Sequence, residues 1–316
     1  MKTRPFKQVD VFTDTPYLGN PLAVVLDGTG LSDAAMQGFA AWTNLAETTF
    51  LLPPSPEAAA AGADYRVRIF STEYEMPFAG HPTLGSCYAW LEHGGVPKNA
   101  EVILQECKVG LVRIRHKTRP LAFAAPTLVR ADASPVALAE LARALGLQPA
   151  QIVAAQHLNN GPQHFGLWLD NVGSVLGLRP DLGALRTWMR AAGISGVGMA
   201  ALDAPPPSSG LIIRSNREAR AFTNTPATAP QGDDLAQLEV RFFADATVVC
   251  EDPVTGSFNA SLAQWLIAEG HAPTRYIACQ GTCIGREGRV HIDQDSAGQV
   301  WVGGDALTCI DGAVLL

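Results

Sequence analysis

A carboxylate, a proline, a glycine and a hydroxyl stand together in Asp252-Pro253-Val254-Thr255-Gly256-Ser257, just ahead of an apolar-periodic run from Phe258 to Gly270. Those residue types mark a helix start, where backbone N–H groups lack intrahelical acceptors and the dipole favours an anion. A small anionic substrate bound there would lie beside an acid/base group, Asp252. A second stretch, Phe78-Ala79-Gly80-His81-Pro82-Thr83, also precedes a helix and offers His81 as a donor to an anion or a proton carrier. A third, Asn44-Leu45-Ala46-Glu47-Thr48-Thr49-Phe50, sets one carboxylate among small, apolar and hydroxyl residues between a helix and a strand. Burial of Glu47 there would raise its pKa toward the range useful for general acid–base work. Plainer readings exist for each: Glu47, His81, Asp252 and Ser257 could be caps or solvent-facing residues.

The elements that must position these groups occur twice. Val67-Arg68-Ile69-Phe70 leads through the Gly80-His81 turn to Ser86-Cys87-Tyr88-Ala89-Trp90-Leu91. Val240-Arg241-Phe242-Phe243 leads through the Asp252–Ser257 turn to Ser261-Leu262-Ala263-Gln264-Trp265-Leu266. The strand-like segments 19–25 and 161–168 also correspond, each followed by a Leu…Trp helix, and each half has a later hairpin, 102–104 with 112–114 and 276–278 with 290–292. This long period predicts two similar domains rather than a solenoid of repeats of about 20–50 residues.

Strands are expected at 5–12, 20–26, 48–52, 64–71, 101–106 and 110–115, and helices at 31–43 and 82–93. Ala124–Pro135 reads as a linker. Beyond it, helix 135–146, strands 151–157, 164–170, 197–202 and 211–214, helix 181–192 and the strand–turn–helix of 238–270 follow. Residues 203–209 and 215–236 read as long surface loops.

Composition narrows the function. At 316 residues the chain suits two domains of about 150 each. A net charge of −7 argues against a nucleic-acid partner, whose footprint is basic. The N-terminal segment has no apolar core after its charges, so it is not a secretory signal. No apolar run reaches the roughly 20 residues of a membrane helix. A cytoplasmic protein without a membrane partner is expected. The six cysteines (87, 107, 250, 279, 283, 309) are scattered, and Cys279 and Cys283 lack the second pair or histidines of a zinc site. They read as buried thiols. Gly193-x-x-Gly196-x-Gly198 follows a helix and precedes a strand, the reverse of a dinucleotide fingerprint.

Gly19-Asn20-Pro21-Leu22-Ala23-Val24-Val25, the Glu47 stretch, Pro77–Thr83, Glu251–Ser257 and Gln280-Gly281-x-x-x-Gly285-Arg286 occur in one order along nearly the whole chain. Together they resemble the phenazine-biosynthesis isomerase family. The resemblance implies an α/β (α+β) fold of the diaminopimelate-epimerase-like kind: two similar domains, each a curled sheet around a central helix. The boundaries then fall at 1–124 and 125–304, with a strand from 305–316 available to complete the first domain and the active site in the cleft between them. It implies Glu47, His81 and Asp252 as catalytic residues, Gly80, Gly256 and Ser257 as substrate-binding residues, and a homodimer. Related racemases of this fold use two cysteine bases. Neither the 79–83 turn nor the 251–257 turn holds one, although Cys250 lies beside the second. Phe258 departs from the small residue usual after the serine and is expected to narrow the pocket.

The expected chemistry is a proton shift on a small carboxylic acid. The substrate carboxylate sits on the N–H groups of the two helix starts, and Glu47 takes a proton from an acidified carbon and returns it to another. No metal, nicotinamide or pyridoxal is required. The alternatives are a racemase or epimerase of an amino or hydroxy acid, and a non-enzymatic ligand-binding protein of the same fold.

Overall fold

The computed structural model describes residues 1–117, 120–202, 237–245 and 250–316. The strand expected at 211–214 and the loops expected at 203–209 and 215–236 lie outside the described residues. The first half runs β1 (Thr3–Val11), β2 (Asn20–Val25), α1 (Asp33–Thr43), β3 (Thr48–Leu52), α2 (Pro56–Ala60), β4 (Tyr65–Phe70), β5 (Glu75–Met76), α3 (Gly80–Glu92), β6 (Val102–Cys107), β7 (Gly110–Arg115) and β8 (Leu121–Ala124). The second runs β9 (Val129–Asp132), α4 (Pro135–Leu145), β10 (Ile152–Asn159), β11 (Gln163–Leu169), α5 (Val172–Leu176), α6 (Leu182–Ala192), β12 (Gly196–Leu202), β13 (Gln237–Ala244), α7 (Gly256–Ala268), β14 (Arg275–Gln280), β15 (Gly288–Gln294) and β16 (Val300–Gly304), and ends in β17 (Ala306–Leu315).

The two halves repeat one pairing scheme. β1–β2 is antiparallel, β2–β3 parallel, β3–β4 antiparallel, β4–β6 parallel, and β6–β7 and β7–β8 antiparallel. The series β10–β11, β11–β12, β12–β13, β13–β14, β14–β15, β15–β16 has the same sequence of directions. Parallel neighbours need a crossover, and a helix fills each one. α1 joins β2 to β3 as α5 and α6 join β11 to β12; α3 and α7 fill the β4–β6 and β13–β14 crossovers. Two further pairings knit the halves into one sheet, β8 with β16 and β1 with β17, and β9 adds to β10 within the second half.

Those second crossovers hold the central helices. α3 is buried at every position from Gly80 to Cys87 and packs on strands β1, β2, β3, β4, β8 and β17. α7 is buried from Gly256 to Ala263 and packs on β10, β15 and β16. A helix wrapped on all sides must be apolar or small around its whole circumference, unlike the outer helices with one buried stripe. On α1 only Met36 and Ala40 are buried.

Two expectations are corrected here. Ala124–Pro135 is not a bare linker: the Ala125 N–H donates to Val300 O (2.9 Å), and Val129–Asp132 pairs with residues 156–159 of β10. All four β9 residues are exposed, so no alternation marked the strand. Phe258 does not narrow the cleft. It is fully buried, with its ring over Gly198 and 5.1 Å from the Phe242 ring. A Cβ on Gly198 would stand 2.2 Å from Phe258 Cζ, and one on Gly196 2.1 Å from Phe242 Cζ. The two glycines of β12 thus make room for two aromatic rings, which accounts for the Gly196-x-Gly198 spacing without a nucleotide.

Candidate active site

The starts of α3 and α7 meet end to end. A Cβ added to Gly80 would lie 2.6 Å from the Gly256 carbonyl carbon and 2.7 Å from the Ser257 nitrogen. These neighbours are backbone atoms and cannot rotate away. Glycine is therefore required at Gly80 for the two helix starts to approach this closely.

Both helices also lack something the others have. α1, α2, α4, α5 and α6 are capped by the side chains of Ser32, Ser55, Ser134, Asn171 and Asp181. Ala79 and Thr255, at the caps of α3 and α7, make no side-chain cap bond. Two sets of uncapped N–H groups and two aligned dipoles therefore converge at one junction, the arrangement that favours an anion.

Phe12 props this junction from the side. Its ring lies 3.0 Å from where a Gly256 Cβ would be and 2.2 Å from that of Gly304. Its φ is 65°, a left-handed conformation uncommon for a bulky residue. Neighbouring strands impose it: the Phe12 N–H donates to Asp305 O (2.7 Å), and its carbonyl accepts from the Arg289 N–H (2.8 Å).

The titratable groups ring the same point. Glu47 follows α1 in the loop leading to β3, His81 is in the first turn of α3, and Asp252 comes from the other half, ahead of α7. Glu47 Oε2 lies 3.3 Å from His81 Nε2, outside hydrogen-bonding geometry, and neither atom has another partner among the described residues. Asn20, the first residue of β2, connects the halves. Its Nδ2 donates to Asp252 Oδ1 and to Val254 O, each at 2.9 Å, and lies 3.3 Å from His81 Nδ1. Both Nδ2 hydrogens go to Asp252 and Val254, so an unprotonated Nδ1 is the form that avoids two N–H groups facing each other, which leaves the His81 proton on Nε2, the nitrogen facing Glu47. Thr255 Oγ1 donates to Asp252 Oδ2 at 2.6 Å. Gln280 Nε2 donates to Asp252 O and to Thr255 Oγ1 (3.0 Å each), and Gln280 Oε1 accepts from the Thr255 N–H and Asn259 Nδ2 (3.0 Å each).

Burial sets the protonation states. It drives Glu47 from 4.5 up to about 8, and the charge of Asp252 adds to the rise. The Glu47 side chain nevertheless keeps 15% exposure, so it is desolvated yet reachable. Burial alone depresses His81 to about 3, leaving it neutral at physiological pH. Asp252 is also raised by burial, against the opposing hydrogen bonds of Thr255 and Asn20. Two carboxyls so placed resist ionising together.

The sequence-predicted residues Glu47, His81, Asp252, Gly80, Gly256 and Ser257 thus gather at one junction. Ser257 differs from the rest: its carbonyl accepts from Asn160 Nδ2 (2.8 Å), while its hydroxyl makes no hydrogen bond among the described residues. Asn20 and Gln280 lie in the motifs that carry the family resemblance but have no role that the sequence alone assigns, and nothing in the sequence around Phe12 marks it. Among the described residues, no group of three or more His, Cys, Asp and Glu is placed to hold a metal ion. No disulfide links the six cysteines, and they are not all the buried thiols expected: Cys283 is exposed and Cys250 and Cys309 are half-buried, whereas Cys87, Cys107 and Cys279 are buried. No helix among the described residues is long and apolar enough to cross a membrane.

A curled sheet duplicated around two central helices, with polar groups at their meeting point, defines the class of the diaminopimelate-epimerase-like fold. Residues 9–312 match the model of the phenazine biosynthesis-like protein family, and the chain belongs to that family. It is similar to antisense-enhancing sequence 1 of Schizosaccharomyces pombe, at 32% identity over 99% of both chains. It is also similar to the trans-2,3-dihydro-3-hydroxyanthranilate isomerase of Pseudomonas aeruginosa, at 28% identity over 98% of both. Among solved structures it resembles a phenazine biosynthesis protein of Bacillus anthracis, with a TM-score of 0.77 and 23% identity over 100% of both chains, a likeness of fold.

Proposed function

We propose that this chain is an isomerase that moves a proton between two carbons of a small carboxylic acid, shifting a double bond. The observation that carries the reading is Glu47: a desolvated carboxyl with a pKa near 8, facing His81 at a junction of two uncapped helix starts. The substrate carboxylate is taken by the N–H groups at Gly80, Gly256 and Ser257. Glu47, in its ionised fraction, accepts the proton of a carbon acidified by a neighbouring unsaturated or carbonyl group. The electron pair left on carbon moves into the conjugated system, and the Glu47 carboxyl returns the proton to a different carbon. The reaction is redox-neutral and the proton is conserved, so it balances within the substrate and one side chain. Neutral His81 donates from Nε2 and steadies Glu47 or a substrate oxygen, while Asp252, held by Asn20 and Thr255, fixes a polar substituent. An acid/base group so positioned supplies about 10²–10⁴ in rate. The name of the Pseudomonas aeruginosa relative makes trans-2,3-dihydro-3-hydroxyanthranilate the first acid to assay.

A second reading is an epimerase in which Glu47 and Asp252 act as the two bases. It is favoured by their origin on opposite halves and by the raised pKa of both. Incubation of a panel of unsaturated and amino acids in D2O separates the two. Isomerisation moves the double bond and carries the migrating hydrogen to a new carbon, as protium where Glu47 returns the same proton and as deuterium where that proton exchanges on Glu47. Epimerisation exchanges one stereocentre and leaves the bonding unchanged. Absence of both a shifted double bond and exchange across the panel overturns both.

A further inference from the structure

A cavity of about 560 Å³ opens on the outer side of the second half. β13 separates it from the junction, because successive residues of a strand face opposite sides. Val240 and Phe242 pack in the core that holds α7, whereas Phe243 packs with residues of α5 and α6. Arg241 and Phe243 therefore belong to the cavity side, and Leu178 from the α5–α6 connection and Leu182 at the start of α6 complete its apolar wall. The volume lies within the range of about 300–1,000 Å³ typical of small-molecule sites.

Its two lining arginines differ. Arg241 is committed: Nε and Nη2 donate to the two oxygens of Glu251 at 2.8 Å, and Nη1 donates to the carbonyls of Val175 and Leu178 at 3.2 Å. This pair is a neutral floor. Arg179 is pinned by bonds from Nη1 to Leu178 O (2.9 Å) and Leu176 O (3.5 Å) and has no carboxylate partner among the described residues. A guanidinium held on one side, with its remaining donors unspent, is preorganised for a planar anion. The cavity thus combines an apolar wall, a compensated floor and one uncompensated cation.

We propose that this cavity is a second ligand site, separate from the α3–α7 junction, and that it takes a small carboxylate with an apolar body. The body lies on Leu178, Leu182 and Phe243, and the carboxylate pairs with Arg179. The segment Cys250–Glu251–Asp252 touches both places: Cys250 and Glu251 line the cavity, and Asp252 reaches Asn20 in the junction.

Cys283, an exposed thiol that also lines the cavity, provides a readout local to it. The rate of its alkylation by N-ethylmaleimide is followed by peptide mass spectrometry on the whole protein, with 3-phenylpropionate as the probe. Saturating probe is expected to slow labelling of Cys283 about tenfold or more. Arg179→Met is expected to raise the half-protecting concentration about tenfold, the loss of one charge-assisted pair, and 3-phenylpropanamide to protect as weakly. Glu47→Gln, which alters the junction alone, leaves protection unchanged. Absence of protection at any concentration overturns the site. Equal protection by acid and amide, or an unchanged response in Arg179→Met, overturns the carboxylate assignment. Loss of protection in Glu47→Gln overturns the separation of the two sites.

Discussion

Gly80 and Gly256 meet backbone to backbone, each at the start of its own central helix and each from a different half of the sheet. This contact aims two helix starts at one place. A methyl at Gly80 would stand 2.6 Å from Gly256 backbone, whereas one at Gly256 finds nothing nearer than 3.0 Å. Gly80→Ala is expected to lose about 1–3 kcal/mol by overpacking and Gly256→Ala less. Thermal unfolding of both variants checks the order. Equal stability of Gly80→Ala and wild type would mean that the two halves separate freely at this contact.

Glu47→Gln keeps the size of the side chain and removes proton transfer. Turnover is expected to fall by about 10²–10⁴, while calorimetry shows the acidic ligand still bound. His81→Ala is expected to weaken binding and turnover together. Near-native turnover in Glu47→Gln would transfer the proton shuttle to Asp252.

The same carboxyl leaves a signature in stability against pH. Glu47 has a folded pKa raised from 4.5 to about 8, so between those values the native state holds more protons than the unfolded chain. Its contribution to stability is fully present below pH 4.5 and is lost as pH rises through about 8. His81 and His164, both depressed by burial from 6.5 to about 3, act in the opposite sense and only below pH 6.5. Between pH 6.5 and 8 the carboxyls act without that opposition. Urea unfolding across this window should show wild-type stability falling more steeply than that of Glu47→Gln. Parallel curves would mean that Glu47 titrates near its ordinary value.

Asn20→Ala strips Asp252 Oδ1 and the Val254 carbonyl of a shared donor. Leaving buried acceptors unpaired costs about 1–3 kcal/mol, and a drop in kcat is expected with it, since Asp252 loses its tie to the first half. Asn20→Asp adds a like charge beside Asp252 and is expected to be worse on both measures. If Asn20→Ala changes stability but leaves kcat and its pH profile intact, Asn20 is structural only.

Much of the fold was legible because its periods are clean. The strands ending at Val11, Val25 and Leu52 and the helices over 33–43 and 182–192 fall within two residues of their expected positions. α3 begins at Gly80 rather than Pro82, because a proline is tolerated anywhere in the first turn, where its missing N–H has no acceptor to serve. α5 has five residues, too few to show a period. β17 has no fully buried residue, so alternation had nothing to record. The residues at the junction could be read from their motifs, but Asn20 and Gln280 could not be given partners. Asn20 finds Asp252 across 232 positions, a proximity only the closed sheet creates. Phe12 looked like the end of a strand, and its strained backbone depends on Asp305 and Arg289.

The pairing of β1 with β17 also sets the order in which the chain can mature. β1 lies between β2 and β17, and its register with β17 runs from Thr3–Leu315 to Val11–Ala306. On the ribosome, one edge of β1 stays unpaired until the rest of the sheet has been made, a wait of tens of seconds at about 5–20 residues per second. An open edge of that length is a template for the wrong partner. The first half therefore emerges with one side of its first strand bare, and that side is covered only when translation delivers the last strand.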